Sequence, residues 1–219
     1  MTRIKTGLCV SFALVFTLVA AGCNRMEAER ESATPPATPA GMLGGEELVS
    51  ALRGGGFVMY MRHAATDPQP DDDDPVDFSD CGTQRNLSNA GRRDARAIGR
   101  AVDALEIPIG TVLASPFCRT LDTARLAFGK ATRTPALEYL ETARTDAEVA
   151  ARTRSLRRLL SDPPRRRTNT VLVAHVVNLT EAAKVNLSEG ETGVFLPNAG
   201  GFALVARVTP QEWEDLAEQ

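Results

Sequence analysis

Histidine is nearly absent from this chain of 219 residues: there are two, His63 and His175. Tryptophan occurs once, and aromatic residues make up 5% of the chain. Positive charge is not in excess, with a formal net charge of -3, which argues against nucleic acid as a partner. No internal repeat is visible, and the EF-hand spacing of ligands and glycine is missing, which argues against a dedicated calcium loop. The only long apolar run, "GLCVSFALVFTLVAAG" at residues 7–22, is too short for a comfortable membrane span.

That run follows Arg3 and Lys5 and ends in small residues, the pattern of an export signal. Its end, "VAAGC", resembles the bacterial lipobox, which implies removal of residues 1–22 and acylation of Cys23. Asn24 in place of Asp then favours the outer membrane. The alternative is an ordinary secretory signal with a chance cysteine. Residues 1–22 carry two positive charges and no negative ones, so processing takes the formal charge from -3 to -5. Residues 23–42, rich in Glu, Ala, Thr and Pro, read as a tether without a packed core, and residues 43–219 fit one domain. Of four cysteines, Cys9 leaves with the signal and Cys23 is acylated. In an oxidising compartment Cys81 and Cys118 are expected to pair, the alternative being two separate thiols.

Within the domain, apolar periodicity alternates between strands and helices. Helices are expected at 46–52, at 88–105 with Ser88 as cap, at 116–128, at 146–160 and at 176–186. Ser115 is expected to cap the third of these, with Pro116 at its first helical position. Strands are expected at 57–62, 111–115, 136–140, 170–175, 192–196 and 201–208. The implied fold is a three-layer α/β/α sandwich with a mostly parallel central sheet, whose ligands gather beyond the carboxyl ends of the strands.

Arg62 and His63 close the first strand, His175 follows the strand "TVLVA", and Arg119 lies in the first turns of a helix. Two imidazoles and two guanidiniums converging on one sheet edge suit a phosphoryl dianion. Arginine presents a planar fork of donors, and a neutral imidazole can attack phosphorus and carry the group. The same set makes a poor metal site, because cations repel cations, and no cofactor is expected.

"MRHAATD", "SPFCRTLDTA" and "VLVAHVVN" together resemble, in order and spacing, the signatures of the histidine phosphatase superfamily, in its phosphoglycerate mutase-like branch. The resemblance covers residues 45–208. It implies a phosphoglycerate mutase-like fold, His63 as the nucleophile that becomes phosphohistidine, and Arg62, Arg119 and His175 as the groups that hold the phosphoryl oxygens. The chain departs from the family pattern at Ala64, where glycine is common, and at Val176, whose β-branch after His175 bears on the turn and the pocket.

A proton donor for the leaving group is less defined. The resemblance points to a carboxylate after the Arg119 helix, where Glu138, Glu141 and Asp146 are available. Glu141, just beyond the strand expected at 136–140, is favoured, with Asp67 and Glu191 as competitors; all of them also read as surface carboxylates. The insert "DPQPDDDDPVDFSDCGTQR" carries seven aspartates and overhangs the same sheet edge. It reads either as a gate against highly anionic substrates or as a solvated loop tied by Cys81 to the Arg119 helix. The expected activity is metal-independent hydrolysis of a small phosphomonoester, of the histidine acid phosphatase type, by a protein lipid-anchored in the envelope. The alternatives are a phosphohistidine protein phosphatase, a phosphate mutase, and a phosphate-binding lipoprotein without turnover.

Overall fold

The structure is a computed structural model that describes residues 41–219, all within one compact unit. The signal at 1–22, Cys23 and nearly all of the tether at 23–42 lie outside the described residues. None of the described helices is long and apolar enough to cross a membrane.

Six strands form one sheet: β1 (Val58–Arg62), β2 (Ile109–Ala114), β3 (Thr132–Arg133), β4 (Asn169–Ala174), β5 (Thr192–Asn198) and β6 (Gly201–Val208). Their spatial order is β3-β2-β4-β1-β5-β6. The first four in that order run parallel, and β5 and β6 form an antiparallel pair on the β1 edge. Among the described residues six helices cover it: α1 (Gly45–Gly54), α2 (Asn89–Ala104), α3 (Cys118–Phe128), α4 (Asp146–Ser161), α5 (Val176–Ala183) and α6 (Pro210–Ala217).

Strand alternation divides the core in two. Met59, Met61, Val112, Val171, Val173 and Val194 pack beneath α1, α2, α3 and α6. Val58, Tyr60, Leu172, Ala174 and Phe195 face Leu156 and Leu160 of α4 and Leu179 of α5. Because successive side chains of a strand point to opposite faces, these two clusters are the interiors of a three-layer sandwich, as expected. Ser88 caps α2 by accepting from the Gly91 N–H.

Two local expectations are corrected. First, α3 begins at Cys118 and not at Pro116; its N-cap is Phe117, and Ser115 does not cap it. The first helical N–H, that of Cys118, instead donates to the side-chain oxygen of the fully buried Gln84, 2.9 Å away. Second, residues 136–140 are not a strand. Two tight 3-10 turns, Pro135–Leu137 and Leu140–Thr142, take their place. Asn178 of α5 satisfies this backbone: its Oδ1 accepts from Leu140 N, and its Nδ2 donates to Glu138 O. Beyond the last expected strand the chain closes with α6, opened by a capping box of Thr209 and Glu212 with Pro210 at the first helical position.

Candidate functional site

The parallel register sets the ends of β1, β4 and β2 side by side, with Arg62 opposite Ala174 and Ala114 opposite Val173. Each chain then leaves the sheet at the same edge, delivering Arg62 and His63, His175, and Ser115 followed by Arg119. The antiparallel β5 brings its own beginning there: the His63 carbonyl accepts from Gly190 N, and Arg62 N donates to Glu191 O. The Ala64 N–H donates to the Thr123 hydroxyl, which itself donates to the carbonyl of Arg119, so the β1 exit and α3 are joined.

His63 is 3% exposed and His175 1%, and their rings lie 5.6 Å apart, edge to face. The His63 Nδ1 lies 3.0 Å from the carbonyl of Ala64. A carbonyl only accepts, so Nδ1 carries the hydrogen and Nε2 keeps its lone pair. Burial, with the neighbouring Arg119, Arg62 and Arg85, lowers the His63 pKa to about 3. The same causes, burial foremost, hold His175 well below the ordinary range. Both imidazoles are neutral near neutral pH.

The His175 Nε2 lies 2.8 Å from the hydroxyl of fully buried Ser115, whose hydroxyl meets no other acceptor among the described residues. Ser115 therefore donates, and the proton of His175 sits on Nδ1, which is buried without a partner. Arg62 Nε and Arg119 Nε and Nη2 are likewise buried and unpaired. Buried polar groups are rarely left so, and among the described residues only the Thr153 hydroxyl shares this condition. These four nitrogens are donors, and all belong to the three residues expected to hold phosphoryl oxygens.

The candidate proton donors fare differently. The Glu141 carboxylate is exposed and accepts a 2.5 Å hydrogen bond from the hydroxyl of Tyr139, whose ring lies 4.6 Å from that of His175. Burial and then the Glu141 carboxylate push the Tyr139 hydroxyl up to about 12. Asp67 is exposed and joins Asn86 through its backbone. Glu191 is engaged on both oxygens, by Arg207 Nε at 2.7 Å and Ser188 N at 2.7 Å. Burial raises the Glu191 carboxyl, but those bonds outweigh it and hold the group below the ordinary range, so Glu191 ties the start of β5 to β6 and is ionised at neutral pH. Glu138 pairs with Arg152. Val176 is accommodated as the first residue of α5, with His175 as its N-cap.

Four residues at the site had no assigned role in the sequence reading. Arg85 donates to Thr66 and lies close enough to lower both imidazoles. Glu189 accepts from the Thr66 hydroxyl and lies 3.8 Å from Arg62 Nη2 and 4.0 Å from His63 Nδ1. Asp72 reaches from the acidic insert to Arg119, and Tyr139 stacks on His175. None has a local signal, since each meets its partner in the site through a tertiary contact and not through a neighbour in sequence. The disulfide of Cys81 with Cys118 is present and ties the insert to the residue next to Arg119. Among the described residues no group of three or more His, Cys, Asp or Glu side chains gathers as metal ligands.

No protein-family model and no curated protein sequence matches this chain. Solved structures do. A phosphoserine phosphatase from Entamoeba histolytica, in complex with 3-phosphoglyceric acid, is 13% identical, with a TM-score of 0.51 over 72% of this chain and 98% of that one. An alpha-ribazole phosphatase from Shigella flexneri is 14% identical over 68% of this chain and 94% of its own, with a TM-score of 0.46. A protein histidine phosphatase, SixA, complexed with tungstate, is 14% identical over 71% and 97%, with a TM-score of 0.49. At such identities the likeness is one of architecture, and it rests on the first of the three. The chain shares the α/β fold of that structure, a mostly parallel six-stranded sheet between helices, which is the architecture the sequence implies.

Proposed function

We propose that this protein is a phosphomonoester hydrolase that works through a phosphohistidine at His63. The observation that carries the reading is the buried, neutral His63, tautomerically set by Ala64, beside four unpaired donor nitrogens of Arg62, Arg119 and His175. In the proposed reaction the His63 Nε2 attacks phosphorus, the bond from phosphorus to the ester oxygen breaks, and a proton passes to the departing alkoxide. Water then attacks the phosphohistidine and loses its proton, releasing inorganic phosphate and restoring the neutral imidazole. Arg62, Arg119 and the Nδ1–H of His175 stabilise the charge on the equatorial oxygens throughout. Glu141 is the proposed proton donor and subsequent base, supported by its link through Tyr139 to the face of His175.

The proposed setting is the cell envelope, with a lipid anchor at Cys23. The lipobox-like segment and a disulfide suited to an oxidising compartment support it. A small phosphorylated substrate fits this setting better than a phosphohistidine protein.

The test is p-nitrophenyl phosphate hydrolysis by the full chain, with and without EDTA. Turnover is expected to survive the chelator and to fall by at least about a thousandfold in His63→Ala, as removal of a covalent nucleophile does. Phosphate binding without any turnover would favour the binding-only lipoprotein, and loss of turnover with EDTA would remove the metal-independent mechanism.

A further inference from the structure

The acidic insert does more than overhang the site: it places one carboxylate on the phosphate clamp. The side chain of Arg119 is 0% exposed, and its Nη1 lies 2.8 and 3.0 Å from the two carboxylate oxygens of Asp72 and 3.4 Å from the carbonyl of Arg85. The guanidinium carbon sits 4.3 Å from the centroid of the Phe117 ring. The Phe117 ring lies against the guanidinium carbon, and the Asp72 contact fixes which terminal nitrogen faces the insert.

A guanidinium can meet a phosphoryl group through either of two edges, one made by the two terminal nitrogens and one by Nε with a terminal nitrogen. Here Nη1 is committed to the insert, while Nε and Nη2 are buried and unpaired. Asp72 occupies the opposite end and leaves the Nε–Nη2 edge open.

We propose that Asp72 is a positioning residue, which holds Arg119 so that its Nε–Nη2 edge meets the phosphoryl group; the inference rests on the phosphatase reading. Asp72 is itself held. Its Oδ1 accepts from Arg85 N at 2.9 Å, Asp73 N donates to Thr83 O at 2.9 Å, and Asp74 pairs with Arg144. The disulfide of Cys81 with Cys118 ties the far end of the insert to the residue beside Arg119. Asp72 also offsets one of the three guanidiniums, those of Arg62, Arg85 and Arg119, that surround the two neutral imidazoles.

A double-mutant cycle on the full chain tests this, with p-nitrophenyl phosphate as substrate. Asp72→Ala is expected to lower kcat by about 10- to 100-fold, the scale of loss that a misplaced binding group causes, with KM changed by less than about threefold. Asp72→Asn keeps an oxygen that accepts from Arg119 and should recover much of that loss. In an Arg119→Ala background, Asp72→Ala should change kcat by less than about twofold, because there is no fork left to orient. A rise in kcat/KM with tighter phosphate inhibition would make Asp72 an obstruction and overturn the proposal. An equal loss in both backgrounds would make it a structural brace, and no loss in either Asp72 variant would dismiss it. If the unmodified protein neither turns over nor binds orthovanadate, the phosphatase reading fails and this inference with it.

Discussion

His63 and His175 are expected to make the native state sensitive to mild acid. The His63 pKa is about 3 against an ordinary 6.5, and His175 is lowered in the same direction, burial being the main cause in each. Well above pH 6.5 both imidazoles are neutral whether folded or not, and they contribute nothing to pH dependence. As the pH falls below 6.5 the unfolded chain takes up protons that the native state refuses, so stability declines toward acid. For His63 the loss is about 1.4 kcal/mol by pH 5.5, before most carboxylates titrate, and His175 adds to it in the same direction. Urea midpoints at pH 7.5, 6.5 and 5.5 measure this, and His63→Gln should flatten part of the slope. A midpoint that holds constant over that window would show that the two rings titrate freely.

At the scale of elements, the central feature is the insert between β1 and α2. It is a structural arm of the site, because Gln84 from its end receives the first N–H of α3 while Cys81 is bonded to Cys118. Gly91, near the start of α2, belongs to the same assembly: a Cβ there would lie 2.0 Å from the carbonyl of Ala65, two residues after His63. Only glycine allows α2 to approach so closely. The disulfide spans 37 residues, and chain entropy alone assigns it about 4 kcal/mol. Reduction is therefore expected to lower Tm by about 10 °C, and thiol titration of the unfolded chain should find two more thiols with reductant than without. Equal titrations would mean two separate thiols and would remove the brace on Arg119.

For the molecule as a whole, the proposed anchor decides where the domain works. Cys23 precedes the described residues, and the proposed anchor predicts that the full chain sediments with membranes and partitions into detergent. Cys23→Ala should move it to the soluble fraction without altering p-nitrophenyl phosphate turnover, since the site lies within residues 62–191. A Cys23→Ala protein that stays with the membrane would exclude acylation as the anchor. A formal charge of -5 after processing disfavours electrostatic attachment to anionic lipid as a substitute for the acyl chain.

By itself the sequence determined the layers and the places of the candidate site residues. Apolar runs with short spacing specify strands wherever the chain is buried on both faces, and Arg62, His63, Arg119 and His175 sit at element ends that those runs locate. The tertiary structure alone decided what each group meets. Ser115 looked like a cap by its position before proline, yet its hydroxyl serves His175, 60 residues away. The segment 136–140 has a strand's composition, but Asn178 satisfies its backbone in two turns and so turns Tyr139 onto His175. Asp72 is one of seven similar aspartates in the insert and is distinguished only by the 47 residues of chain that fold back to set it on Arg119. Periodicity reports burial along an element, whereas hydrogen bonds and ion pairs between distant segments depend on register and crossing, which no local pattern encodes.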